Sequence, residues 1–442
     1  MATSIKKAGR IYDCPAELLQ ALVRFNTTNP PGNEAGCIGF IKGLLQEAGI
    51  ESITVARNPN RPNVIARLRG TGNTAPLLLY GHVDVVTTEG QMWTHPPFEG
   101  KIVDGFLWGR GTLDMKGGVA MMLAAFLKAK AEGLSLPGDV LFAAVADEEA
   151  GGDFGVNYLV NEHPDLFRGI KYGLGEFGGF NLSFAGRRFY PIMIAEKQLC
   201  WMKAIFHGPG GHGSIPIRGG TMAKLARALH LLDKHHLPVH ITPAVRMMVE
   251  KLAENVGSIP GFVIKQVLNP TLSHSILKIM GPRGSLFSPL IHNTVSPTML
   301  KASDKVNVIP GEISLGLDGR LVPGAKPEDL IRELYDLLGK EVEFEVFRAD
   351  PGPAEPDMGL FDMLGGILKE LDPTGIPLPY VTTGVTDARF LSKLGIQTYG
   401  FTPLDLPEGF NFLSLVHGAD ERVPVAAVDF GVNAILKAMQ SF

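Results

Sequence analysis

The chain has 442 residues, more than the roughly 250 to 300 at which single hydrophobic cores stop growing, so more than one domain is expected. Hydrophobic residues make up 45% of the sequence and charged residues 19%, and the formal net charge of -4 disfavours nucleic acid as a partner. Three cysteines without CxxC spacing indicate neither a disulfide framework nor a thiolate metal site, and favour a reducing compartment.

Targeting and membrane signals are the next feature of the sequence. The N-terminal residues lack the apolar core of a secretory signal. Nor does any run approach the roughly 18 consecutive apolar residues of a membrane span. We therefore expect a cytoplasmic globular protein without a membrane partner.

Strands and helices alternate over the first part of the chain. The apolar runs Leu77–Val86 and Asp139–Ala146 are typical of buried strands. Helical spacing of apolar residues predicts helices over Cys37–Ala48 and over the residues that follow Gly118. This alternation favours an α/β sheet protein.

The pattern changes from about Leu199 and becomes β, α, β, β, α, β, which is typical of a small α+β domain. Residues 235–291, between its first helix and its second strand, are interpreted as an insertion. The α/β character resumes after Phe347, so the small domain is itself expected to be inserted into the larger one. The predicted segments are Trp201–Gly208, Thr221–Lys234, Asn293–Ala302, Gly311–Leu321, Pro327–Leu338 and Val342–Phe347.

Polar side chains follow several apolar strands, which is where open α/β sheets place their ligands. His82 and Asp84 are two residues apart on one strand and so share a face. Asp114 follows in the segment GRGTLDMKGG. A single residue of this kind at a strand end is more often a solvated or capping side chain, but the recurrence on successive strand ends indicates a site. The other members of the set are Glu148, Glu149, Glu176 and His417.

The segment GRGTLD also allows a dinucleotide-binding oxidoreductase. Gly109 and Gly111 fit that glycine pattern, but Asp114 stands where the third glycine belongs and would repel a pyrophosphate. This alternative ranks behind a metal-dependent hydrolase and behind a non-catalytic binding protein.

Taken together, these motifs resemble the M20 metallopeptidases, which include acetylornithine deacetylase, succinyl-diaminopimelate desuccinylase, aminoacylase and glutamate carboxypeptidase types. The resemblance spans nearly the whole chain. It implies a mixed-sheet, zinc-exopeptidase-like catalytic domain with an inserted, ferredoxin-like βαββαβ lid or dimerisation domain. The motifs, in the order of the family, are GHVDVV, GRGTLDMKGG, DEEAGG, GPGGHGSIP, DGRLVPG, TTGVTDARF and HGADERV.

On this basis we assign residues 1–197 and 350–442 to the catalytic domain. Residues 198–349 form the lid or dimerisation domain, with an additional helical insertion over 235–291. The insertion is longer than in the compact deacetylases, and its apolar content suits a pocket for a bulky acyl group. A second departure is Gln198, where the family commonly has glycine.

The resemblance implies two divalent ions bridged by Asp114. His82 and Glu176 would complete one site, and Glu149 and His417 the other. Two such ions bring a charge of +4, and three carboxylates with one bridging hydroxide bring -4, so the buried cluster would be neutral. Mixed imidazole and carboxylate ligation suits Zn²⁺, and Co²⁺ or Mn²⁺ also fit.

Two further roles concern residues beside the ligands. Glu148 is left over after ligation and is predicted to be the general base that takes a proton from the attacking water. Asp84 is predicted to accept the other ring N–H of His82 and so to fix its tautomer. The resemblance also implies that the peptide bond between Asp114 and Met115 is cis.

The inserted domain contributes further candidates. The resemblance makes His212 a donor to the tetrahedral oxyanion, supplied by the partner subunit in dimeric family members, so a homodimer is expected. Arg320 and Asn293 match substrate-contacting positions, and Arg320 would hold a free carboxylate by a bidentate fork. An ion pair of Arg320 with Asp318 is the alternative.

The function expected from the sequence is hydrolysis of an amide bond beside a free carboxylate in N-acyl amino acids or small peptides. An M20-fold dipeptidase and a non-catalytic binding descendant are the alternatives. All five ligand positions and Glu148 are present, which argues against the second alternative. Asp387 and Arg389 are expected to be structural supports, while Glu421 and Arg422 are expected to cap a loop or support the site.

Overall fold

The computed structural model describes residues 10–281 and 284–442. Residues 1–9, at the start of the predicted catalytic domain, and residues 282–283, within the predicted insertion, lie outside the described residues. The chain divides into two compact units, each of which is described by itself. The larger unit comprises Met1–Ile194, Asp357–Pro379 and Thr386–Phe442, and the smaller unit comprises Ala195–Pro356 and Tyr380–Val385.

The described residues form strands and helices in alternation over much of the chain. The strands are β1 (Ser52–Val55), β2 (Asn63–Leu68), β3 (Leu77–His82), β4 (Lys101–Val103), β5 (Phe106–Trp108), β6 (Val140–Val145), β7 (Tyr172–Gly175), β8 (Leu182–Phe184), β9 (Arg187–Glu196), β10 (Gln198–His207), β11 (Gly211–His212), β12 (Thr294–Lys301), β13 (Val308–Ile309), β14 (Glu312–Leu321), β15 (Glu343–Asp350), β16 (Ile376–Thr382), β17 (Gln397–Gly400) and β18 (Arg422–Pro424). The α-helices are α1 (Pro15–Val23), α2 (Ala35–Glu47), α3 (Lys116–Ala131), α4 (Val156–Glu162), α5 (Thr221–Lys234), α6 (Pro243–Asn255), α7 (Ser258–Lys265), α8 (Ser273–Ile279), α9 (Gly284–Phe287), α10 (Pro327–Leu338), α11 (Phe361–Leu371), α12 (Ala388–Leu391), α13 (Phe412–Leu415) and α14 (Val425–Ser441).

A large mixed sheet organises the larger unit, with the strand order β1-β2-β6-β3-β7-β17-β9-β16 and β8 beside β9. Strand β3 pairs in parallel with both β6 and β7, and β17 pairs in parallel with β7. Antiparallel pairs join β1 with β2, β2 with β6, β17 with β9 and β8 with β9. Every residue of β3 and β6 is buried, as their apolar runs predict. The mixed α/β class predicted from the sequence is therefore confirmed.

Helix α3 anchors the region where the site lies. Almost all of its residues are buried, and it contacts β3, α1 and α14. Such a helix is apolar around its whole circumference rather than along one stripe, which is typical of a helix enclosed within a core. The start of α3 is consequently held in a fixed position relative to β3.

The smaller unit contains a four-stranded antiparallel sheet with the order β12-β14-β10-β15. Helix α5 contacts β10 and β14, and α10 contacts β15. Buried and less buried residues alternate along β14, so one face of the strand supplies Leu315 and Leu317 to the core. In chain order the elements are β10, α5, β12, β14, α10 and β15, which confirms the predicted βαββαβ pattern.

Helices α6 to α9 lie between α5 and β12, within the stretch predicted to be an insertion. Helix α6 is capped by Thr242, whose Oγ1 accepts a hydrogen bond from the N–H of Val245. It buries Val245, Met248, Val249 and Leu252, the spacing of one helical face. Among the helices of the described residues, none combines the length and the apolar character needed to cross a bilayer.

Candidate metal centre

Three of the predicted ligands follow neighbouring parallel strands. His82 ends β3, Glu149 follows β6 and Glu176 follows β7. Because parallel neighbours end at the same edge of a sheet, these side chains are brought together. Asp114 lies just before α3, and His417 follows α13. All five residues belong to the larger unit.

Asp114 lies between two groups of side chains. Its Oδ1 is 3.2 Å from Nε2 of His82, which is 3.3 Å from Oε2 of Glu176. Its Oδ2 is 3.1 Å from Nε2 of His417, which is 3.3 Å from Oε1 of Glu149. Within each group, one ligand atom from each residue lies within 4.8 Å of the others. We call His82, Asp114 and Glu176 the first trio, and Asp114, Glu149 and His417 the second trio.

The donor set fits two cations that share one carboxylate. Each trio offers one imidazole and two carboxylates, a combination that suits zinc and related divalent ions. Burial raises the pKa of Glu176 to about 8, and burial followed by the charge of Asp114 raises the pKa of Glu149. Crowded, buried carboxylates of this kind are unfavourable unless positive charge lies among them.

Protons supply that positive charge when no cation is bound. Hydrogen bonds with Asp114 and Glu149 raise the pKa of the His417 imidazole to about 10. Burial opposes ionisation of Asp114, yet hydrogen bonds with His417 and His82 hold the pKa of its carboxyl well below its usual range. A metal ion in the second trio must therefore displace a proton from His417.

The loop that carries Asp114 is constrained on both sides. The peptide bond between Asp114 and Met115 is cis, as the resemblance implied. Lys116 is fully buried, and its Nζ donates a hydrogen bond to the Phe25 carbonyl at 2.6 Å. Burial lowers the pKa of Lys116 to about 8. At Gly117 a Cβ atom would lie 2.1 Å from the backbone oxygen of Thr112, so only glycine fits there.

Asp84 contacts both His82 and the turn that follows β6. Nδ1 of His82 lies 3.0 Å from the main-chain oxygen of Asp84 and 3.5 Å from its carboxylate, so the nearer acceptor is the backbone. The carboxylate instead accepts hydrogen bonds from the N–H groups of Glu148 and Glu149, both at 3.2 Å. Burial opposes ionisation of Asp84, but the adjacent His82 imidazole and the hydrogen bond from Asn29 hold the pKa of its carboxyl below the usual value.

A buried polar network behind Asp84 was not predicted. Nδ2 of Asn29 donates to Asp84 at 2.8 Å and to Asp147 at 3.0 Å. Arg61 pairs with Asp147 at 2.9 Å and with Glu34 at 2.6 Å. These partners are far apart along the chain, and no local pattern marks Asn29, Arg61 or Glu34 as members of one group.

Glu148 has surroundings that differ from those of its neighbour Glu149. Its side chain is 11% exposed, and its Oε1 lies 3.7 Å from a terminal nitrogen of Arg389. Burial, followed by the negative charge of Glu176, raises the pKa of Glu148 well above the usual value. Arg389, predicted to be a structural support, thus contacts the predicted base, while burial raises the pKa of the nearby Asp387 to about 7.

The remaining predicted residues belong to the smaller unit. His212 is exposed on β11, and its Nδ1 lies 2.8 Å from the hydroxyl of Ser214. Arg320 donates two hydrogen bonds to Asp318, at 2.8 and 3.2 Å. The ion pair with Asp318, which the sequence analysis gave as the alternative for Arg320, is therefore present.

Asn293 and Gln198 are also buried in the smaller unit. The amide of Asn293 donates to Glu333 at 3.0 Å and accepts from the N–H of Val322 at 3.0 Å. The amide of Gln198 donates to the Gly352 carbonyl at 3.0 Å. The substrate contacts predicted for Asn293 and Arg320 remain predictions.

Comparison with known proteins decides the family. The model of Peptidase family M20/M25/M40 matches residues 78–441. The chain belongs to this family. A human relative, "N-fatty-acyl-amino acid synthase/hydrolase PM20D1", is 28% identical over 378 residues, which cover 83% of this chain and 74% of the relative. Aminoacylase-1 of Sus scrofa is 25% identical over 428 residues, which cover 94% and 92% of the two chains.

Solved structures of M20 proteins share the fold. The M20 family metallo-carboxypeptidase Sso-CP2 of Sulfolobus solfataricus aligns with a TM-score of 0.67 and 15% identity, covering 96% of this chain and 98% of that chain. The YXEP protein of Bacillus subtilis, described as a dinuclear metal-binding peptidase, aligns with a TM-score of 0.59 and 13% identity over 97% of each chain. The M20 membership establishes the chain as a metal-dependent hydrolase of the peptidase and aminoacylase type.

Proposed function

We propose that this M20 hydrolase cleaves the amide bond of N-acyl amino acids or small peptides beside a free carboxylate. The observation that carries the proposal is the position of Asp114, which belongs to both trios. Its Oδ1 lies 3.2 Å from Nε2 of His82 in the first trio, and its Oδ2 lies 3.1 Å from Nε2 of His417 in the second. The five residues of these trios would hold two divalent ions. Zn²⁺ suits the mixed ligands best, and Co²⁺ and Mn²⁺ also fit.

The chemistry of the reaction divides between the ions and the chain. When bound, the two ions lower the pKa of water and polarise the carbonyl that is cleaved. Glu148 accepts the proton of the attacking water and returns it to the leaving nitrogen. Its pKa, raised by burial and by the negative charge of Glu176, supports this role, because a higher pKa makes a carboxylate a stronger proton acceptor.

Residues of the smaller unit would recognise the substrate. His212 is proposed to donate a hydrogen bond to the oxyanion. Arg320 is proposed to release its hydrogen bonds to Asp318 and to bind the free carboxylate of the substrate in their place. A homodimer formed through the smaller unit is part of the proposal, and sedimentation measurements test it. The names of the two relatives favour acyl amino acids, including fatty-acyl amino acids, over dipeptides as the first substrates to try.

A hydrolysis screen tests the proposed function. Metal-free protein and protein reloaded with Zn²⁺ are incubated with N-acyl amino acids of increasing acyl length and with dipeptides, and the free amino acid is measured. We expect release only from the reloaded protein. The proposal is overturned if the reloaded protein contains two ions per chain and hydrolyses no member of either series. Cleavage of dipeptides alone would favour the dipeptidase alternative.

The same assay tests carboxylate recognition. Amidation of the substrate carboxyl group should lower kcat/KM about as much as Arg320→Ala does, with little further loss when the two changes are combined. The matched control is Arg332→Ala, which removes an exposed arginine that pairs with Asp329 on α10. Fully additive losses for Arg320→Ala and the amidated substrate would assign the arginine another role.

A further inference from the structure

The glycine-rich turn Gly109–Asp114, with the sequence GRGTLD, encloses the carboxylate of Glu421. Glu421 is fully buried. Its Oε1 accepts hydrogen bonds from the N–H groups of Leu113 at 2.7 Å and Asp114 at 3.2 Å. Its Oε2 accepts from the N–H of Gly111 at 3.1 Å. The turn therefore forms an anion-binding cradle, and the chain's own carboxylate fills it.

Arg110, which belongs to the same turn, extends the contact to His417. The guanidinium is 1% exposed and donates to Oε2 of Glu421 at 2.6 Å. Its other terminal nitrogen donates to the main-chain oxygen of His417 at 3.1 Å and to the side-chain oxygen of Gln91 at 2.8 Å. Gln91 in turn donates to the same His417 oxygen at 2.8 Å.

These contacts join two of the three chain segments that supply the second trio. One segment ends in Asp114, whose own N–H is bonded to Glu421, and the other contains His417, whose carbonyl is bonded to Arg110. Asp114 must direct one oxygen into each trio, so a small rotation of its backbone would move both oxygens. The hydrogen bond from the N–H of Asp114 to the buried carboxylate of Glu421 opposes such a rotation.

We propose that Glu421 is a positioning residue which, through the GRGTLD turn and Arg110, orients Asp114 and His417 toward their two cations. The proposal rests on the two-ion centre of the proposed function. It also accounts for the resemblance of GRGTLD to a phosphate-binding turn: the N–H groups converge as they do around a phosphate, but Glu421 occupies their centre.

The decisive variant is Glu421→Gln. A glutamine has the same size but only one acceptor oxygen, so it cannot accept all of the hydrogen bonds that converge on the carboxylate. We expect the affinity for Zn²⁺, measured by competition with a chromophoric chelator, to fall about 10- to 100-fold. We also expect the visible absorption of the Co²⁺-loaded protein to change, because the ligand geometry shifts. His417→Ala, which removes a predicted ligand, serves as the reference for the loss of one ion.

Two controls separate positioning from general stability. Glu370→Gln changes an exposed glutamate that pairs with Lys437, and it should leave affinity and spectrum unchanged. Leu159→Ala removes a buried side chain from the core of the larger unit, so it should lower the melting temperature without altering the spectrum of the bound Co²⁺. If Leu159→Ala weakens metal binding as much as Glu421→Gln does, the proposal is overturned.

Wild-type affinity and an unchanged Co²⁺ spectrum in Glu421→Gln would also overturn it. Should that variant not accumulate as folded protein, Arg110→Lys decides, because it keeps the positive charge beside Glu421 but leaves one terminal nitrogen, which cannot donate to Glu421 and to the His417 carbonyl together. Metal affinity unchanged in Arg110→Lys then overturns the proposal. Metal binding is measured without substrate, so wild-type protein that binds two ions and hydrolyses nothing contradicts the proposed function alone.

Discussion

Glu148 and Glu149 are chemically identical neighbours, and the backbone of a single short turn gives them different surroundings. Glu149 lies 3.3 Å from His417 in the second trio, whereas Glu148 lies beside Arg389. The carboxylate of Asp84 holds the N–H groups of both glutamates, so neither side chain can exchange its position with the other without breaking these bonds. The proposed ligand, Glu149, and the proposed base, Glu148, are thus separated by their positions in the turn.

Replacement of the predicted base should separate catalysis from metal binding. Glu148→Gln keeps the size of the side chain but removes its capacity to accept a proton, so we expect kcat to fall by about 10² to 10⁴ while both ions remain bound. Steady-state kinetics and metal analysis of the same preparation measure this. Glu162→Gln, at an exposed position on α4, is the control, and retention of most activity by Glu148→Gln would remove Glu148 from this role.

At the scale of elements, the turn before α3 depends on close backbone contact. Gly117→Ala would place a methyl group 2.1 Å from the Thr112 oxygen, and relief of that overlap must move the turn that carries Asp114. We expect a loss of about 1 to 3 kcal/mol in the free energy of unfolding, together with weaker Zn²⁺ binding. Denaturant unfolding and metal titration measure the two effects.

The matched glycine lies in a helix with free space around it. At Gly39 in α2, no atom other than those of its chain neighbours and of the helix's own backbone lies within 4 Å of the position that a Cβ would take. Gly39→Ala should therefore raise stability by about 0.5 to 1 kcal/mol, because it restricts the unfolded chain, and should leave metal binding unchanged. Equal effects of the two substitutions would contradict the packing argument.

Elements with local signals were predicted well. The predicted helices Thr221–Lys234 and Pro327–Leu338 coincide with α5 and α10, because helical spacing and flanking residues mark their ends. The contact of Asn29 with Asp84 and Asp147 has no such signal, because these residues are far apart in the sequence and meet only in the folded chain. The ligand set and its division into two sites came from the family resemblance, while the distances between the side chains within each trio required the folded structure.

At the scale of the whole molecule, the metal centre links stability to pH. In the metal-free protein the pKa of Glu176 is raised from 4.5 to about 8, so this group destabilises the fold progressively as pH rises through that range. His417, with its pKa raised from 6.5 to about 10, contributes stability that is fully present below 6.5 and is lost as pH rises through about 10. Both groups make the metal-free protein less stable at higher pH.

Zn²⁺ bound in the proposed centre would displace the protons of Glu176 and His417 and supply the compensating charge itself. At higher pH these groups carry fewer protons, so metal binding has fewer protons to displace. We therefore expect the increase in melting temperature caused by Zn²⁺ to grow from about pH 6 to about pH 9. Thermal unfolding with excess Zn²⁺ and with a chelator, over a series of buffers, measures the difference. A zinc effect that is constant over this range would contradict the proton linkage.

The two trios also differ in the order in which ribosomes make their members. His82, Asp114 and Glu176 are all synthesised long before His417, the residue that completes the second trio. The shared carboxylate of Asp114 therefore exists in the nascent chain with all of its partners in the first trio and, from the second trio, with Glu149 alone. Translation accordingly provides the full residue set for one ion before that for the other, and a message truncated ahead of codon 417 would encode only the first.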